Sequence, residues 1–351
     1  MQNQERERLQ ILLKKVSKQR THEAFERAFG HSQSVIESVK VEINAYAKAQ
    51  SVDLTGICLV AVGSVGRGEA GVASDLDLIP IASNAHLLKS YEPHDKAIRQ
   101  RLREALSMKV SEGDNLTAPT ALTNLTAADC IGGERDSSGA LTKRILILTE
   151  SEQIAGDLTI GNVRLALLNA YTQSDRTSGP HVLAMCNDVA RYFRTLCVEY
   201  KAKVDDENKP WGTRNLKLRH SRKLWYFSLM VAISALVQQF PSGRLNYKEA
   251  VLDTLSYPPV LRLLRALPSD EFAARIGNIL DHYAWFLLFM EAPSNRERLA
   301  QIDHDKRFDL TNDNPFPHLK LNSDLMHQAM IKLVDELPAT VRDKVFAWFL
   351  L

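Results

Sequence analysis

The chain has 351 residues, 45% apolar and 25% charged, which is the profile of a folded globular protein and excludes a fibre or a disordered tail. Lys and Arg number 44 against 42 Asp and Glu, so overall charge selects no polyanionic partner and any steering must come from local patches. The opening MQNQERERLQ has no apolar secretory core, and the longest apolar run, 224–237, is too short to span a bilayer, so a cytoplasmic chain with no membrane contact is expected. The four cysteines, Cys58, Cys130, Cys186 and Cys197, form no C-x-x-C pair and read as reduced core residues.

In chain order, residues 5–48 carry apolar side chains at helical spacing (Leu9, Leu12, Leu13, Val16, then Phe25, Phe29, then Val35, Ile36, Val39, Ile43), which predicts two or three amphipathic helices for packing and dimer contact. A homo-oligomer is left open by them. The apolar run Ile57–Val62 predicts a buried strand, followed by a tight turn at Gly63 and Ser64 with Gly66 and Gly68 close behind. A second strand is expected to open at Asp75, where Asp75 and Asp77 project from one face because strand side chains alternate. Two carboxylates so close repel unless a cation sits between them, and oxygen ligands alone suit magnesium, with manganese as a substitute.

This pattern, Gly63-Ser64 followed by Asp75-Leu76-Asp77-Leu78, resembles the signature of the DNA polymerase β nucleotidyltransferase superfamily. Within it, GSVGRGE followed by SDLDL is most similar to the bacterial protein-modifying uridylyltransferases and adenylyltransferases and their nucleotidyltransferase-like relatives. The resemblance covers 59–82 and implies an α+β fold: a small mixed-sheet nucleotidyltransferase core at 51–157, preceded by N-terminal helices at 1–50 and followed by a large all-helical second domain at 158–351. It implies Asp75 and Asp77 as catalytic metal ligands, with a third carboxylate on a neighbouring strand, for which Glu112 and Asp114 are the candidates. The Gly63-Ser64 turn lets backbone N–H groups and the Ser64 hydroxyl approach triphosphate oxygens, and Arg67 stands where it can add charge to the phosphate grip or else pair with Glu69 or Asp75.

Beyond the second strand, residues 94–108 predict a helix with Ile98, Leu102 and Leu106 on one face, 109–116 a short strand, 117–129 little helix, and 141–154 a helix. From 158 onward the periodicity is helical to the end. Residues 211–227 hold a basic patch, with Arg214, Lys217 and Ser221 on one helical face and Arg219, Arg222 and Lys223 on another. Asn215-Leu216-Lys217 with Arg219 and Arg222 is similar to the nucleotide-facing helix of the uridylyltransferases, which implies Arg214 and Lys217 as nucleotide-binding residues. His220, after Arg214, also resembles the Arg-His pair of ribonuclease-type helical domains, although a surface histidine is the simpler expectation.

The function these readings imply is a nucleoside monophosphate moved from a nucleoside triphosphate, ATP among them, to a hydroxyl of a protein or tRNA acceptor. The alternative is a synthase of cyclic or linear oligonucleotide second messengers, which shares the Gly-Ser turn and the Asp-x-Asp. A non-catalytic regulatory module is disfavoured by the presence of both aspartates.

Overall fold

The computed structural model describes residues 3–106, 108–113, 115–132, 136–173, 182–205, 210–240, 247–309 and 313–350. Two helices, α1 (Asn3–Val16) and α2 (Gln19–Gln50), lead into β1 (Ile57–Val62), the single turn α3 (Gly63–Gly66), β2 (Asp77–Ala82) and α4 (Ala85–Leu106). Then come β3 (Thr120–Ala121), α5 (Leu122–Thr126), α6 (Ser138–Thr149), β4 (Glu152–Ala155), α7 (Ile160–Gln173) and α8 (Leu183–Asp205). The described remainder is helical: α9 (Trp211–Lys217), a π-helical turn Leu218–Arg222, α10 (Lys223–Gln239), α11 (Tyr247–Ser256), α12 (Pro259–Ala266), α13 (Asp270–Glu291), α14 (Pro293–Ala300), α15 (Phe316–Glu336) and α16 (Ala339–Val345). The class is α+β, mostly helical with one small mixed sheet. No described helix is long and apolar enough to cross a membrane.

The chain forms two compact units, each assembled from separate stretches. One comprises Ala28–Asp188 with Gly243–Pro258, and the other comprises Gln2–Arg27, Val189–Ser242 and Pro259–Leu351. The first unit holds the sheet, in strand order β3-β2-β1-β4. β1 is antiparallel to both β2 and β4, and β2 is parallel to β3. All six residues of β1 are buried, which explains its uninterrupted apolar run. Ile57, Leu59 and Ala61 join one core with Val35, Ile36, Val39 and Ile43 of α2 and with Tyr91, Ile98 and Leu102 of α4. Each large aliphatic side chain sealed there contributes about 1.5–3 kcal/mol relative to exposure. The other face of β1 meets α6.

Several elements differ from the sequence reading. The strand expected from Asp75 begins at Asp77, because Leu76 makes an isolated parallel bridge to Val110 and its N–H donates to the Lys109 carbonyl at 2.8 Å. Among the described residues that single bridge is also all that forms of the strand predicted at 109–116. The helix predicted at 94–108 starts over two turns earlier and contains Pro93, since Asn84 Oδ1 accepts the N–H groups of His86 and Leu87, both at 3.0 Å, and caps it. Residues 117–129 hold β3 and α5. The helix read across 141–154 stops at Thr149, and the segment after it is the edge strand β4. Cys58, Cys130 and Cys186 are buried thiols as expected, whereas Cys197 is exposed.

Candidate functional site

The glycine turn sits where β1 ends. Val62 pairs in register with Asp77 across the antiparallel ladder, so the carboxylate stands beside the residue from which the turn departs. Gly63 has φ +70°, a left-handed conformation that side chains resist, and a Cβ placed on it would lie 3.1 Å from Asp77 Oδ2. The chain then closes on itself through Arg67 N–H to Gly63 O at 3.0 Å and Glu69 N–H to Ser64 O at 2.8 Å. Gly66 packs directly on the end of α6: a Cβ there would meet the Glu150 carbonyl oxygen at 2.0 Å and the Ala61 carbonyl oxygen at 2.6 Å.

Arg67 completes this clamp, and of the two roles open to it the pairing with Glu69 is the one formed. It is 5% exposed, its Nε donates to Glu69 Oε2 at 2.7 Å, and its Nη1 pairs with the Glu150 carboxylate. The guanidinium holds the turn against the C-terminal end of α6 rather than reaching into solvent for a phosphate. Two carboxylates on one buried cation form a strong local constraint, because removing the cation would strand their charge in a low dielectric.

Asp75 and Asp77 flank the buried Leu76, with Asp77 half-buried and Asp75 exposed. Asp75 follows a turn in which Ser74 Oγ accepts the Gly71 N–H at 3.0 Å and the Ser74 N–H donates to Gly71 O at 2.8 Å. That loop is fastened to α2 by the Ala70 N–H, which donates to the buried Ser32 Oγ at 2.9 Å.

A residue missed at the sequence level holds the backbone just after Asp77. Arg99 of α4 is 1% exposed and donates to Asp95 Oδ2 (2.8 Å), Ser111 O (3.0 Å), Ser111 Oγ (2.8 Å), Leu78 O (3.2 Å) and Thr117 O (2.9 Å). The Leu78 N–H in turn donates to Ser111 Oγ at 3.2 Å. Both backbone polar groups of the residue after Asp77 are therefore held by one network. In the sequence Arg99 is simply one more charge beside Ile98, with no motif to mark it.

Of the two candidates for a third carboxylate, only Glu112 lies among the described residues. Glu112 is drawn to Arg103 Nη2 at 2.8 Å with its side chain 72% exposed, and Asp114 lies outside the described residues. Among the described residues no group of three or more His, Cys, Asp or Glu is placed to hold a metal ion. Two carboxylates still satisfy the donor chemistry of magnesium, which keeps several waters and is commonly held by one or two carboxylates together with substrate phosphates.

Arg214 and Lys217 belong to the other compact unit, on α9, Arg214 half-buried and Lys217 exposed. The helical face expected to join them to Ser221 is broken by the π turn at Leu218–Arg222, which holds more residues per turn and rotates the side chains beyond it. Ser221 is buried and accepts the Tyr283 hydroxyl at 3.2 Å. His220, expected at the surface, is fully buried: it stacks on Phe286 with centroids 4.2 Å apart, its Nδ1 donates to Leu216 O at 3.0 Å, and its Nε2 accepts from Asn322 Nδ2 at 3.1 Å. Burial holds its imidazole down to about 3, so it is a neutral core residue and not half of an exposed Arg-His pair.

No protein-family model and no curated protein matches this chain. The functional reading therefore rests on the turn, the carboxylates and their chemistry.

Proposed function

We propose that the chain transfers a nucleoside monophosphate from a nucleoside triphosphate to a hydroxyl of a protein or tRNA acceptor, in the manner of the DNA polymerase β superfamily. The observation that carries this is the abutment of Gly63 on Asp77: a left-handed glycine at the end of a central strand, at which a Cβ would press on the carboxylate oxygen at 3.1 Å. A phosphate lying on that turn would share its edge with whatever cation the carboxylate holds.

Each residue then has a task. Asp75 and Asp77 would hold magnesium, which when bound neutralises phosphate charge and lowers the pKa of an attacking hydroxyl. Gly63 leaves the turn open, and the first N–H groups of a helical turn, which have no partner within it, are donors of the kind that cradle phosphate oxygens, with the Ser64 hydroxyl beside them. Arg67, Glu69 and Glu150 keep the turn rigid, while Arg99 and Ser111 hold the backbone on which Asp77 is carried. Rigid support of this kind matters because a displacement near 1 Å at a reacting centre costs on the order of 100-fold in rate.

The test is incubation of the full chain and magnesium with each α-phosphate-labelled nucleoside triphosphate, alone and with cell extract. Label on a macromolecule supports the proposal. Soluble oligonucleotides formed without an acceptor would replace it with the second-messenger reading, and equal transfer by an Asp77→Asn variant would remove the site from the chemistry altogether.

A further inference from the structure

The second unit holds a crowding of cations on its own helices. On α15, Lys320, Asp324 and His327 lie at successive helical spacings, and the π turn and α10 supply Arg219 and Lys223. Lys320 Nζ is 2.7 Å from Asp324 Oδ2, and Arg219 Nη1 is 3.6 Å from Asp324 Oδ1. One carboxylate thus serves two cations, and Lys223, four residues after Arg219 where the π turn passes into α10, feels the charges of Arg219 and Asp324. Burial first, and then the Arg219 charge, pushes the Lys223 ammonium below its ordinary value, and burial followed by Lys223 does the same to His327. Cys197 of α8, the remaining group felt by Lys223, is exposed at its residue surface while its thiol is partly desolvated and raised, so it adds no negative charge at neutral pH. Three cations against one carboxylate leave an excess of two positive charges.

The arrangement is rigid as well as charged. Arg219 Nε donates to Asn215 Oδ1 at 2.7 Å, which sets the plane of its guanidinium. The π turn that carries Arg219 is pinned from below by His220, whose ring lies flat on Phe286 and whose Nε2 accepts from Asn322 of α15. Asn322 Nδ2 also donates to the His282 carbonyl at 2.8 Å, and its Oδ1 faces His282 Nδ1 at 2.8 Å. A buried polar chain therefore fixes the π turn against the helix bearing Lys320 and Asp324. Single π turns are uncommon and gather at functional positions, and like charges held together without relief oppose folding.

We propose that Arg219, Lys223 and Lys320, arranged about Asp324, form a binding site for a dianionic phosphoryl group, the terminal group of a phosphate monoester or a diphosphate. The guanidinium supplies N–H donors and the two ammonium groups supply point charge, which suits three phosphoryl oxygens. Asp324 spaces the cations until the anion arrives. The side chains of Arg219 and Lys320 are about one-third exposed, which leaves the group reachable from solvent. The site requires neither Asp75 nor Asp77, so it stands or falls apart from the transfer reaction.

The experiment is calorimetric titration of the full chain with inorganic pyrophosphate at low ionic strength and with a chelator present. Lys223→Gln and Arg219→Gln are each expected to weaken binding roughly tenfold or more, as befits loss of a charge-assisted contact. Asp324→Asn is expected to tighten it several-fold, a gain that a purely structural aspartate would not give. Thermal melts by circular dichroism confirm that each variant is folded. Displacement of pyrophosphate by a short oligonucleotide bearing a 5′-phosphate, but not by its 5′-hydroxyl counterpart, assigns the phosphoryl group to a nucleic-acid end; displacement by neither assigns it to a free small molecule. Absence of pyrophosphate binding, equal affinity in wild type and Lys223→Gln, or weaker binding in Asp324→Asn would overturn the proposal. The transfer reading is untouched by any of these outcomes, since it is judged by Asp77→Asn turnover.

Discussion

Replacing Gly63 by Ala separates the turn's chemistry from its stability. The residue sits at φ +70°, where a side chain costs about 1–2 kcal/mol, and the new methyl would lie 3.1 Å from Asp77 Oδ2. A contact that close is relieved when the carboxylate yields by a few tenths of an ångström, so the total loss of stability is expected at about 2 kcal/mol, or several degrees in melting temperature. If Asp77 holds the metal as proposed, displacing its carboxylate while crowding the turn should cost transfer about 100-fold or more. Gly66→Ala is the contrasting case. Its methyl would stand 2.0 Å from a backbone carbonyl of Glu150, which cannot move without parting the turn from α6 and loosening the Arg67–Glu150 pair. There, stability and activity should fall together, with about 3 kcal/mol or more lost. Labelled-triphosphate turnover with magnesium, measured beside calorimetric melting on the same samples, distinguishes the two. If Gly63→Ala retained near wild-type turnover, or melted as early as Gly66→Ala, the turn would be a packing device and the argument from its abutment on Asp77 would fail.

Asp75→Asn and Asp77→Asn should each abolish magnesium-dependent transfer while leaving the melting temperature unchanged or slightly raised without metal, because carboxylate repulsion is relieved; a melting scan and a turnover assay check both. Arg67→Met should destabilise the first unit by about 3–5 kcal/mol, since Glu69 and Glu150 would keep buried charge without its cation, and denaturant midpoints measure this. Arg99→Lys should recover little of what Arg99→Met loses, because one ammonium cannot reach acceptors spread over Leu78, Ser111 and Thr117; equal midpoints for Arg99→Lys and wild type would contradict the network. Burial, with the Lys223 and Arg219 charges adding to it, lowers His220 from 6.5 to about 3, so the unfolded chain binds the extra proton between those values. Stability present above pH 6.5 is therefore lost as pH falls through this window, by up to about 1.4 kcal/mol per pH unit, and His220→Phe should flatten the dependence in denaturation series between pH 7 and 5.

The linear sequence determined what depends on neighbours along the chain. The apolar run Ile57–Val62 could satisfy its side chains only as a strand covered on both faces, and it is one. The alternation around Leu76 was legible in the same way: Leu76 is buried while Asp75 is exposed and Asp77 half-buried. Helical periodicity likewise marked the long second half. What the fold alone decided are the pairings between distant residues of like composition. Arg67 had Glu69 and Asp75 nearby, but its second carboxylate, Glu150, comes from the far end of α6 and is brought near only by packing. Arg99 gained its role because Ser111 and Thr117, from a segment without a strand of its own, run past α4 beside Leu78. His220 went inside because a π turn, invisible to a 3.6-residue period, rotated it onto Phe286 and Asn322. Local periodicity reports which face of an element is apolar, whereas the partner of a buried charge is set by which elements meet, and that is a property of the tertiary structure.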